Sequence, residues 1–156
     1  MTRTGSIFLA LVGAIALATG TYAQTPQQDP AHGDLPFVWS QRPTGHDFER
    51  YYPHHAIEAG RSGVGVLCCT ANADGTISCD AVYENPPGEG FGAAAVNIAH
   101  SFHMNAQDAV TWSTSREKFR VPIWFLMNRK SSDPDVQAFI AQTSLATENI
   151  CRAAAN

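Results

Sequence analysis

The spacing of apolar and polar positions divides the chain into segments of different period. An unbroken apolar run, Ile7 to Gly20, follows a short basic start carried by Arg3, and Thr21-Tyr22-Ala23 supplies small residues of a cleavage site. The run is shorter than the about 20 residues a membrane helix needs. The pattern therefore predicts a cleaved export signal over residues 1–23 and a periplasmic protein, with an uncleaved inner-membrane anchor as the alternative. Residues 24–44, QTPQQDPAHGDLPFVWSQRPT, are rich in Pro and Gln and lack a period. They read as a flexible tether in which Phe37-Val38-Trp39 is the part suited to dock onto a domain.

The domain pattern starts near His46. Tyr52-Pro53 sets an extended pair before a short helix, His54 to Ala59, which Gly60 and Gly63 end. Two strand-like runs, Val64–Ala71 and Thr76–Glu84, flank Asp74-Gly75, the pattern of a β-hairpin. A three-residue loop, Ala73-Asp74-Gly75, places Gly75 at the left-handed position and fixes the register: Asn72 faces Thr76, Ala71 faces Ile77, Thr70 faces Ser78 and Cys69 faces Cys79. Apolar residues at 91, 94, 95, 98, 99 and 102 predict a helix over Phe91–Phe102. Residues 105–117 read as polar and irregular. Phe119–Met127 reads as a strand, and Pro122, which cannot donate to a ladder, argues for a sheet edge. Asp133 and Pro134 open a last helix over 135–154, with Val136, Phe139, Ile140, Ile150 and Cys151 on its apolar side. The order predicts an α+β domain on a small antiparallel sheet.

Four cysteines, an even number in an exported chain, favour disulfides over metal or redox chemistry. In the predicted register Cys69 and Cys79 form a non-hydrogen-bonded pair, whose Cα separation of about 4.5 Å suits a disulfide. Residues 67, 69, 71, 77, 79 and 81 share one sheet face, while 64, 66 and 68 share the other. Cys68 and Cys69 thus point oppositely, and Cys68 is expected to meet Cys151 of the last helix. Free buried thiols at Cys68 and Cys151 are the alternative.

Charge and motifs narrow the function further. The formal charge of −4 becomes −5 when Arg3 is lost with the signal, and no Lys/Arg run is present, so nucleic acid is not an expected partner. The pairs His54-His55 and His100/His103 lack a zinc-site context, and His32 and His46 stand alone. No nucleophile elbow or phosphate loop appears; Gly88-x-Gly90-x-Gly92 does not follow a βαβ pattern. No enzyme activity, cofactor or metal is expected. Trp112, in a polar segment, is the better candidate for an exposed binding anchor, ahead of Trp124.

Taken in order, Tyr52, Pro53, Ala56, Gly60, Gly63, Asp74, Gly75, Phe91, Ala94, Ala95, Phe102, Val121, Pro122, Ile123 and Phe125 match the skeleton of the TonB C-terminal domain family. The chain resembles that family over about residues 39–127. The resemblance implies a TonB-like domain over 45–130, with two helices against a three-stranded antiparallel sheet; the helix of 131–156 lies outside it and would pack on the domain. It also implies a partner: an outer-membrane receptor or other envelope protein, whose extended peptide adds to the edge strand. The implied binding residues are Tyr51, Tyr52, Phe119, Val121, Ile123 and Phe125. Edge-to-edge pairing of two copies is a further possibility that the resemblance leaves open. An apolar segment without histidine and a short spacer point away from energy transduction by a membrane-anchored TonB. That transducer and a small periplasmic metal-binding protein or enzyme are the rival readings.

Overall fold

The computed structural model describes residue 35 and residues 37–153. The expected export signal, the tether up to Asp34 and residues 154–156 lie outside the described residues. In chain order the elements are β1 (Trp39–Gln41), α1 (Gly45–Tyr51), α2 (His54–Glu58), β2 (Gly63–Ala71), β3 (Ile77–Asn85), α3 (Phe91–Ala99), β4 (His103–Met104), α4 (Ala106–Ser115), β5 (Phe119–Phe125), α5 (Pro134–Thr147) and α6 (Ile150–Ala153).

The hairpin follows from its turn. Gly75 sits at φ +89°, a left-handed conformation that is costly for a residue with a Cβ. The Thr76 hydroxyl and N–H donate to Asp74 Oδ1 at 2.6 and 2.9 Å, and these bonds hold the Asp74 carboxyl below its ordinary range. From the turn outward, Ala71 opposes Ile77, Thr70 opposes Ser78 and Cys69 opposes Cys79. Farther out the register shifts: Leu67 opposes Ala81 while Val66 opposes Tyr83, so Val82 is left over as a β-bulge.

β5 pairs antiparallel with the other side of β2, giving a three-stranded sheet in the order β3-β2-β5. The Cα atoms of Cys69 and Cys79 are 4.1 Å apart, the narrow spacing of a non-hydrogen-bonded pair. The peptide groups of Cys69 therefore face β5. Alternation then assigns the ladder bonds on that side to Cys69–Phe119, Leu67–Val121 and Gly65–Ile123. It turns the peptide groups of Arg120 and Pro122 away from β2. The proline thus stands where a missing N–H costs the ladder nothing.

Two layers of helix cover the sheet. On the first face Leu67, Cys69, Ile77, Val121, Ile123 and Phe125 pack under Phe91, Ala95 and Ile98 of α3. On the second face Val64, Val66 and Trp124 pack under Val136 and Ile140 of α5. The C-terminal helix is thus present and covers the face expected of it, but in two pieces, with Glu148 and Asn149 between α5 and α6.

Several segments differ from the sequence reading, among them α1, which the reading did not contain. Phe37 and Trp39 at the end of the tether dock onto the domain as expected, and the segment goes further by forming β1, which pairs with β4 in a separate two-stranded sheet. Residues 105–117, read as irregular, contain α4, capped by the Asn105 side chain, which accepts from the Asp108 N–H at 2.9 Å. The helix expected over 91–102 ends at Ala99, and β5 ends at Phe125 rather than Met127.

α1 starts on a carboxylate. Asp47 Oδ2 accepts from the Thr44 N–H and hydroxyl, both at 2.7 Å, and Oδ1 accepts from the Ser101 hydroxyl at 3.0 Å. The Thr44 bonds are the main cause that lowers the Asp47 pKa below 3.8. A depressed folded pKa adds stability that is complete above the unfolded value of about 3.9 and is lost as pH falls through the folded one. Urea midpoints of wild type and Asp47→Asn should accordingly differ at neutral pH and converge in acid. A gap that stays unchanged as the pH is taken down into acid would assign the effect to something other than the charge.

Candidate functional site

The residues implied as partner-binding lie along β5 and the entry to α2, but their side chains point inward. Phe119, Val121, Ile123 and Phe125 are 6%, 1%, 2% and 0% exposed and belong to the first-face core. Tyr52 is half-buried. Its ring meets Phe125 edge-on at 5.3 Å, and its hydroxyl donates to the carbonyls of Arg61 at 2.8 Å and Phe125 at 3.3 Å. Burial raises the Tyr52 pKa, so the phenol stays protonated and remains a donor. Tyr51 is half-buried, with the Arg50 guanidinium 5.4 Å above its ring. The structure therefore gathers these six residues as the support of a strand. The four β5 side chains are committed to the core, so any contact they make with a partner passes through backbone, whereas Tyr51 and Tyr52 keep part of their rings exposed.

Two features of β5 remain for chemistry. The first is the outward peptide groups of Arg120, the one residue of the strand that is not buried; the Pro122 carbonyl turns the same way from a buried residue. The Arg120 side chain turns to the second face, where its Nη1 donates to Thr147 Oγ1 at 2.9 Å. Burial lowers the Arg120 pKa and Glu148 opposes this, yet a guanidinium remains charged throughout the physiological range. The second feature is an open groove of about 590 Å³ where β5 ends, lined by Phe48, Tyr52, Ile57, Leu126 and Met127, with Glu49 among its polar lining.

Both cysteine pairs lie at disulfide distance. Cys69 and Cys79 join neighbouring strands at 2.05 Å between sulfurs, and Cys68 and Cys151 join the second face of the sheet to α6 at 2.01 Å. Trp112 is not an exposed anchor. It is half-buried in an aromatic cluster, 5.2 Å from Phe37 and 5.6 Å from Phe119 between ring centres. The two His pairs come into no common cluster, and among the described residues no group of three His, Cys, Asp or Glu side chains could hold a metal ion. His55 instead places Nε2 3.0 Å from the Glu89 carboxylate, which also pairs with Arg61.

No helix among the described residues is long and apolar enough to cross a membrane. Comparisons with protein-family models, curated proteins and solved structures return no match.

Proposed function

We propose that this chain is an exported, disulfide-stapled binding module of the TonB C-terminal type, which takes up an extended peptide of an envelope protein by strand addition along β5. One observation carries the reading. β5 ends the sheet, and its register turns the N–H of Arg120 and the carbonyls of Arg120 and Pro122 toward the side where a new strand would lie. Affinity then comes from backbone pairing, and the core side chains beneath keep the strand flat. Pro122 sets a rule for the ligand: the peptide residue opposite it finds an acceptor but no donor. Past the strand end, the apolar groove beside Phe48 and Tyr52 is placed to receive a bulky apolar side chain of the same peptide.

The test is amide hydrogen exchange by NMR, with synthetic peptides copied from periplasm-facing segments of outer-membrane receptors. Binding should slow exchange of the Arg120 amide at least about tenfold while the Val121 and Ile123 amides, already paired with β2, change little. Protection confined to the β3 amides, or none at Arg120 with any peptide, would exclude β5 as the receiving strand.

A further inference from the structure

The opposite end of the sheet has its own geometry. β3 carries exposed side chains at Ser78, Asp80 and Ala81, and it has no proline or lysine to discourage pairing. Because Cys69–Cys79 is a narrow pair, the peptide groups of Ile77, Cys79 and Ala81 face away from β2. The flat part of this edge is bounded at both ends: the Gly75 turn precedes Ile77, and the bulge at Val82 follows Ala81. The midpoint of that stretch is Cys79, whose side chain is fixed by the disulfide to Cys69.

We infer that β3 is a self-association edge, on which a second copy of this chain pairs antiparallel about a two-fold axis through Cys79. This register opposes Cys79 to its own copy, Ile77 to Ala81 and Ala81 to Ile77. These are three hydrogen-bonded pairs with a donor and an acceptor on every residue. Between them Ser78 stands opposite Asp80 of the second copy, twice by symmetry, in the close non-hydrogen-bonded positions. The two Asp80 carboxylates are thereby kept off each other, which a register centred one residue later would not achieve. β5 is the poorer self-pairing edge. The midpoint of Phe119–Phe125 is Pro122, which would oppose its own copy with no donor on either side. The dimer would join two three-stranded sheets into one and leave both β5 strands at its outer ends, so a dimer would present two peptide edges and bind paired ligands with avidity.

The pairing of Ser78 with Asp80 supplies a two-way test by sedimentation velocity on the oxidised chain over a concentration series. Wild type should dimerise reversibly. Ser78→Asp sets carboxylate against carboxylate and should raise the dissociation constant about tenfold or more. Ser78→Lys sets an ammonium against Asp80 and should lower it several-fold at low salt, with the gain fading as salt rises. Ser78 is exposed and its hydroxyl accepts only a solvent-exposed bond from Asn72 Nδ2 at 3.1 Å, so both variants should melt within a few degrees of wild type. A wild type that stays monomeric, or a dimer indifferent to both substitutions, would overturn the inference. An unchanged dimer would point to another surface. Failure here leaves strand addition on β5 untouched, since that is read from the Arg120 amide.

Discussion

Replacing Cys68 and Cys151 together by alanine is expected to cost the fold about 4–5 kcal/mol, against about 2–3 kcal/mol for the Cys69/Cys79 pair. The difference comes from the unfolded chain. The first bond spans 83 residues and the second 10, and the entropy removed from the unfolded ensemble grows with the logarithm of the loop closed. The larger figure is a substantial part of the about 5–15 kcal/mol that holds a domain of this kind together. The long bond also has a local task. α5 rests on the sheet through Val136 and Ile140 alone among its buried apolar residues, and the remainder of its buried side is Thr143 and Thr147. Without Cys151 anchored to Cys68, that contact, the Phe139 ring against Trp124 and the bond from Arg120 to Thr147 are left to hold fourteen residues in place. Hydrogen exchange should therefore show α5 opening well before β2 in the Cys68/Cys151 variant and together with it in wild type. Equal melting temperatures for the two double variants, or α5 amides as protected as those of β2, would show that packing rather than the long bond secures the helix.

The hairpin was legible because two signals agree there, an alternating pattern and a turn whose Gly75 requires positive φ. Its register brought Cys69 to Cys79, and the opposite direction of Cys68 then led to Cys151 and the helix on the second face. The bulge at Val82 was not legible: it sits among ordinary strand residues and carries no glycine. α1 and α4 were missed because each shows barely one apolar turn, Phe48 to Tyr52 and Ala109 to Trp112. Their signal lay at their starts, where Thr44-x-x-Asp47 and Asn105-x-x-Asp108 place a carboxylate on the first turn. The candidate site was half legible. Pro122 pointed to a sheet end, which the strand order bears out. The unbroken run Val121–Phe125 also meant that both faces of β5 are covered, as in strands between two helical layers. The side chains implied as contacts are for that reason core.

Gly65→Ala should destabilise the protein by about 3 kcal/mol, at the upper end of ordinary overpacking. A Cβ built at Gly65 falls 2.4 Å from the Phe91 carbonyl oxygen and 2.6 Å from Ala95 Cβ. Neither neighbour is the end of a flexible side chain. One is helix backbone and the other a methyl group fixed to it, so α3 as a whole must lift from β2. Lifting it loosens Phe91, Ala95 and Ile98, all 0% exposed, from the first-face core. The backbone entropy gained by removing a strand glycine, about 0.5–1 kcal/mol, is too small to offset this. Gly63, two residues along on the same face, is as tight, since a Cβ there would lie 2.2 Å from the fully buried Phe91 ring. Small residues at 63 and 65 are thus what let the helix approach closely. Gly45 supplies the control, since a Cβ there meets nothing within 4 Å, and Gly45→Ala should change stability by less than about 0.5 kcal/mol. Thermal melts decide the matter: Gly65→Ala should melt on the order of 10 °C below wild type. A Gly65→Ala protein that melts with wild type would mean that α3 is not seated on the β2 glycines, and the helix layer over the first face would have to be redrawn.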